Sequence, residues 1–132
     1  MIDVDSSKLE LRLDYKNKHN LYTLRRRTKI ETMNILCRWA FCISLTNSDR
    51  PRDLTNKSNS NSSEKGIEIR WETFSGGHGD VYLALLKQRC IQDKLKLSEV
   101  NLRKTLKLHV ERGLGYLLSD IKNINQLIQK LG

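Results

Sequence analysis

Acidic residues are the first thing this chain is short of. It carries 24 Lys and Arg against 15 Asp and Glu, a formal net charge of +9 with a pI near 9.7. A surplus of that size points to a polyanion, either nucleic acid or an anionic membrane face. Long apolar runs are missing too, and none reaches the ~20 residues a membrane-spanning helix needs. The opening "MIDVDSSK" has neither the basic n-region nor the apolar h-region of a secretory signal. The expectation is a cytosolic protein with no membrane partner. Cysteine is sparse and odd in number, with Cys37, Cys42 and Cys90 lacking C-x-x-C spacing. That argues against a disulfide framework or a zinc site and for reduced thiols. Aromatic residues make up 6% of the chain, so burial rests mainly on leucine and isoleucine. At 132 residues the chain is expected to form one domain with a real but modest core.

What is present reads as a mainly α-helical, compact domain with one or two short strands. "KLELRL" (Lys8 to Leu13) alternates, placing Leu9, Leu11 and Leu13 inward and Lys8, Glu10 and Arg12 outward. Asp14 can cap a helix running to about Arg27. Thr32 can cap a second helix to about Leu45. Residues 47–66 hold the single proline and a run of Ser and Asn, a composition that cannot bury apolar surface and reads as a flexible loop. Beyond it, "IEIRWE" alternates with Ile67, Ile69 and Trp71 on one face. "TFSGGHGD" is a glycine turn, and "GDVYLALLKQRCIQD" is a helix with Val81, Leu85 and Leu86 at core spacing. Ser98 caps a longer helix with the inward stripe Leu102, Leu106, His109 or Val110, Gly113, Leu117 and Ile121. The tail "NINQLIQKL" is a last short amphipathic helix. The organisation is therefore 8–46, a loop over 47–66, and a helical remainder over 67–131.

The positive charge is unevenly placed. From Lys8 to Lys29 there are eight basic residues, Lys8, Arg12, Lys16, Lys18, Arg25, Arg26, Arg27 and Lys29, against Glu10 and Asp14. On a helix Lys18, Arg25 and Lys29 fall on adjoining turns, as do Lys18, Tyr22 and Arg26. Such an array suits a phosphate backbone, because each neutralised phosphate releases condensed counterions. Arg25, Arg26, Arg27, Lys29, Lys16 and Lys18 are the expected phosphate contacts, with Lys8 and Arg12 as second choices. Arg103, Lys104 and Lys107 are the fallback. Strand, basic helix, tight turn and apolar helix in that order also describe a ribbon-helix-helix half, in which two chains pair strands and Lys8, Glu10 and Arg12 would read a groove.

The second helix is apolar almost all round. Met33, Leu36, Cys37, Ala40 and Ile43 form one face, and Ile35, Trp39 and Cys42 cover another. A helix like that is buried on several sides, which in a small chain implies a partner subunit and a homo-oligomer. Arg38 sits within it and needs a carboxylate or several carbonyls. An ion pair is the expected partner, and a phosphate at the mouth of an interface is the alternative. Cys37 and Cys42, in the same apolar helix, are expected to be buried and inert.

No constellation for catalysis stands out, so the chain is expected to be an accessory binding subunit rather than an enzyme, with no metal and no cofactor. "GGHGD" could present backbone N–H groups to a phosphate, but it lacks the spacing of a nucleotide-binding loop and reads as a helix start. His78 is a lone loop histidine. His109 has no H-E-x-x-H spacing and lies on an inward stripe. Glu68, Arg70 and Glu72 read as a solvated strand edge. Gly113 and Gly115 in a helix each lose about 1 kcal/mol against alanine, which close packing would offset.

The segment "NILCRWAFCISL", with "RRRTKI" before it and "FSGGHGDVYLALLKQRC" and "LKLHVERGLGYL" after it, resembles the DndE family. The similarity runs from Leu21 to Leu118 apart from the Ser/Asn loop. Those proteins belong to the bacterial Dnd system, which replaces a non-bridging phosphate oxygen of DNA with sulfur. The resemblance implies a small component binding double-stranded DNA, intact or nicked, beside a desulfurase, a reductase-like protein and an ATPase. It carries over no catalytic residue. Family members commonly have glycine after the threonine of the turn, where this chain has Lys29. A lysine held at positive φ there costs about 1 kcal/mol and adds a charge beside the arginine cluster. The alternatives are a ribbon-helix-helix-like transcriptional repressor or a protein scaffold of the modification complex.

Overall fold

The computed structural model describes residues 5–53 and 65–122. Asp5 accepts from the Ser7 backbone N–H at 3.0 Å and caps a single 3-10 turn, Ser6–Lys8. Strand β1, Glu10–Leu13, follows and pairs antiparallel with β2, Ile67–Arg70, with Leu11 opposite Ile69 and Arg12 opposite Glu68. The expected alternation holds, since Leu9, Leu11 and Leu13 are buried. Lys8 belongs to the turn rather than to the strand. In a ribbon-helix-helix pair the second strand comes from another chain. Here β2 of the same chain takes that place. The alternating pattern also overshoots by a residue, because the chain turns helical at Trp71 while its indole stays buried.

Helix α1, Tyr15–Thr28, starts where Asp14 accepts from the Asn17 N–H at 2.9 Å. It ends at Lys29, which has φ 63° and returns its N–H to the Arg25 carbonyl at 3.0 Å. Lysine therefore occupies a left-handed position, the case in which it carries the cost of about 1 kcal/mol against glycine. Helix α2, Met33–Leu45, has Thr32 at its N-cap position, but the threonine side chain makes no capping bond. The short α3, Trp71–Ser75, ends in the left-handed Gly76. Helix α4 is Gly79–Gln92, and α5, Glu99–Asp120, is capped by Ser98 accepting from the Asn101 N–H at 3.1 Å. The tail predicted as a helix, from 123 on, lies outside the described residues.

The core lies where α2 crosses α5. Leu36, Cys37, Ala40 and Phe41 of α2 are fully buried, as are Leu102, Leu106, Val110 and Leu114 of α5. The backbones meet at Gly113, where an added Cβ would stand 1.8 Å from the Ala40 carbonyl oxygen. Gly115 has open space instead, so only one of the two glycines serves packing. On α4 the core stripe is rotated from the expected one. Leu86 is buried, but Val81 is 58% and Leu85 39% exposed, and the inward positions go to Leu86, Arg89 and Cys90.

Arg89 explains the rotation. It is 3% exposed. Its Nε donates to Asp93 Oδ1 at 3.0 Å, and its terminal nitrogens donate to the carbonyls of Leu45, Asn47 and Asp49 at 3.1, 2.6 and 2.9 Å. Arg112 of α5 arrives from the other side and donates to the carbonyls of Ser44, Asn47 and Asp49 at 2.8, 3.2 and 2.7 Å. Two guanidiniums thus satisfy the carbonyls that the end of α2 leaves open. They also fasten residues 47–49, the start of the stretch read as a flexible loop. Residues 54–64 of that stretch lie outside the described residues.

Gly113→Ala is expected to lower stability by about 1–3 kcal/mol, because a methyl group meets backbone that cannot easily move. Gly115→Ala should raise it by up to about 1 kcal/mol through helix propensity alone. Thermal melts of the two variants check both signs.

Candidate nucleic-acid interface

Helix α1 carries Lys16, Lys18, Arg25, Arg26 and Arg27 and not one acidic residue. Its buried side is short, made by Asn17, Leu21, Leu24 and Thr28. That spacing turns Lys16, Arg25, Arg26 and the adjoining Lys29 to solvent, with Lys18 half-exposed. The arginines occupy the last turn, where the C-terminal end of the helix dipole favours positive charge. Three rings climb the same helix. Tyr15 and His19 lie 4.3 Å apart by centroids, His19 and Tyr22 6.1 Å, both edge-on. The Lys18 ammonium stands 5.9 Å and the Arg25 guanidinium 5.1 Å from the Tyr22 ring centre.

Two of the expected contacts have other duties. Arg27 is half-buried and donates to the carbonyls of Leu118 and Ile121 at 3.1 and 3.4 Å, tying α1 to the end of α5. Arg12 is paired with Glu10 at 2.5 Å and with Glu68 at 3.5 Å. Lys8 is exposed in its turn, and its carbonyl accepts from Arg103 at 3.3 Å. The outer edge of the ribbon carries Glu10, Arg12, Glu68 and Arg70, two acids against two bases. The fallback set is partly engaged as well, since Lys104 pairs with Asp53 at 2.9 Å.

Charges inside the fold are answered locally. Arg38 donates to the Phe74 carbonyl at 2.9 Å, so its partner is backbone and not the carboxylate expected. Its guanidinium fills the space over Gly76, where a Cβ would come within 2.2 Å of Nη1. Of the two α2 cysteines only Cys37 is buried, and desolvation pushes its thiol up to about 12. Cys42 is exposed, contrary to expectation, although partial desolvation still raises its thiol against the pull of a hydrogen bond with Tyr82. His78 stands at the N-cap of α4 without a side-chain capping bond, in keeping with a plain helix start.

One buried constellation escaped the sequence. Ser44, His109 and Asp93 line up, with Ser44 Oγ 2.8 Å from His109 Nδ1 and His109 Nε2 3.1 Å from Asp93 Oδ2. The Arg112 Nε–H donates to Ser44 Oγ at 2.8 Å, which assigns the serine proton to Nδ1 and leaves a neutral ring donating to Asp93. Burial holds His109 down to about 4, consistent with that neutral form. The order resembles a hydrolytic triad, but Ser44 and His109 are 0% exposed and no substrate reaches them. It is a structural network. The only hint in the sequence was the four-residue spacing of Arg89 and Asp93 across one turn. Among the described residues no group of His, Cys, Asp and Glu could hold a metal ion, and no helix is long and apolar enough to cross a membrane.

Fold and surface together define a small, mainly helical protein whose positive charge gathers on one acid-free helix. The family model of the DNA sulphur modification protein DndE matches residues 10–125, and the chain belongs to the DndE family. Membership implies a role in DNA phosphorothioation within the Dnd system. No curated protein matches the chain.

Beside α1 lies Glu111, whose Oε2 accepts from Asn17 Nδ2 at 2.8 Å. Burial first, then the nearby Asp14 and Asp53, raise its carboxyl to about 7, against the pull of Lys107 and Lys16. Glu111 and His109 therefore oppose each other in acid. The fold holds a proton on Glu111 that the unfolded chain releases between 4.5 and about 7, so stability gains as pH falls through that range. The unfolded chain protonates His109 below 6.5 while the fold resists down to about 4, so stability is lost there. Glu111→Gln should be more stable than the parent above pH 7, with the gap closing towards pH 4.5. Melting temperature against pH for both proteins reads this directly.

Proposed function

We propose that the exposed face of α1, with Arg25, Arg26, Lys29, Lys16 and Lys18, contacts the phosphate backbone of double-stranded DNA for the Dnd modification machinery. The observation that carries this is the absence of any acidic residue on a helix with five basic ones. Arg27 supports the helix from behind, and Lys8 flanks it. Phosphate contacts position a protein without choosing a sequence, so sequence choice falls to the assembled complex. The chain acts as an accessory subunit in the cytoplasm, beside desulfurase, reductase-like and ATPase partners. The balanced charge of the ribbon weighs against a repressor that reads bases through its strand.

A second feature favours assembly. Val81 and Leu85, one turn apart, and Ile91 leave apolar side chains exposed on α4, and Ile35 of α2 is 42% exposed. A second copy of the chain, or a Dnd partner in the scaffold reading, would cover them. Sedimentation of the intact chain, with Leu85→Glu as the disrupting variant, separates a homo-oligomer from a monomer.

Binding to intact and nicked duplexes over a range of salt tests the main proposal. Replacing Arg25, Arg26 and Lys29 together with glutamine should flatten the slope of log affinity against log salt by nearly 3 units, at ~0.9 per phosphate contact. An unchanged slope would move the DNA site off α1.

A further inference from the structure

We propose that Tyr22 is a positioning residue of this face: its ring aligns the Lys18 ammonium and the Arg25 guanidinium so that they meet the phosphate backbone as a preset pair. The inference rests on the reading of α1 as the DNA-binding surface and adds how two long cations are held ready on it. Lys18 precedes Tyr22 by four residues and Arg25 follows it by three, the two spacings that bring helical side chains into contact. The cations stand 5.9 and 5.1 Å from the ring centre, within the ~6 Å at which an aromatic face attracts a cation. Seven residues separate them, a rise of about 10.5 Å along the helix. The ring is itself steadied from the N-terminal side by the edge contact with His19, which Tyr15 supports in turn.

The choice of an aromatic partner is the chemical point. A carboxylate could also restrain a lysine or an arginine, as Glu10 and Glu68 restrain Arg12, but it would cancel the charge a phosphate needs. A ring attracts through its quadrupole and carries no net charge. It therefore orders two like charges and leaves both available. Less side-chain entropy then remains to be lost when the phosphate arrives.

Tyr22→Leu and Tyr22→Phe, each measured for binding to intact duplex at fixed salt, test this. Leucine should weaken binding about 5-fold or more, because two long side chains must then be ordered by the phosphate itself at about 0.5–1.5 kcal/mol each, while phenylalanine restores it. In a Lys18→Gln, Arg25→Gln background the leucine change should have no further effect, whereas a general loss of structure would persist there. As a check that needs no variant, the δ-methylene protons of Arg25 in the folded protein should resonate upfield of their unfolded positions. Leucine binding as tightly as tyrosine, a loss that persists without the two cations, or an unshifted Arg25 would overturn the inference alone. If the parent protein shows no salt-dependent binding to DNA, the reading of α1 and this inference fall together.

Discussion

Everything in this molecule turns on how the C-terminal end of α2 is finished. The helix is apolar enough to lie in the core, but its last carbonyls go there with it and need donors. Arg89 from α4 and Arg112 from α5 supply them, reaching four successive points between Ser44 and Asp49. A buried guanidinium in turn requires a counter-charge, and Asp93 provides it, oriented by a neutral His109 that Ser44 holds from behind. One hydrogen-bonded set thus joins three helices and the segment leaving α2. Deleting a single member would strand a buried charge or carbonyl at a cost of several kcal/mol, which makes the set a unit.

Internal contacts of this kind account for part of the net charge of +9. Arg38, Arg89 and Arg112 serve carbonyls within the fold, Arg27 serves the end of α5, and Arg12 is neutralised in the ribbon. Basic composition therefore overstates the charge that faces outward. What stays on α1 is concentrated, and it is arranged around an aromatic side chain.

Much of this was legible in the residues. The inward leucines of β1, the caps Asp14 and Ser98 and the stripe of α5 all follow local rules, and each appears as read. The misplaced charges share a cause. Periodicity assigns charge to solvent, whereas the true inward face of α4 contains an arginine. The carbonyl that answers Arg38, that of Phe74, is 36 residues away, beyond the reach of spacing. Adjacent arginines look alike in the sequence until a distant backbone claims one, as it does Arg27. Wherever a polar group is satisfied at long range, composition and spacing carry no trace of the partner. The exposure of Lys16, Arg25 and Arg26 on α1 follows helix geometry, and Arg27 is where that geometry yields to a distant partner.

The crossing of α2 over α5 has a consequence for how the chain is made. Contacts that close the domain join residues far apart, as Asn17 and Glu111 do across 94 positions. A ribosome delivers α2 well before α5, so the greasiest helix of the protein emerges without its cover and waits while residues 46–98 and then α5 itself are made. Non-local closure of this kind is slow and leaves apolar surface exposed meanwhile. Until α5 arrives, the apolar face of α2 is the surface through which a nascent or truncated chain would aggregate.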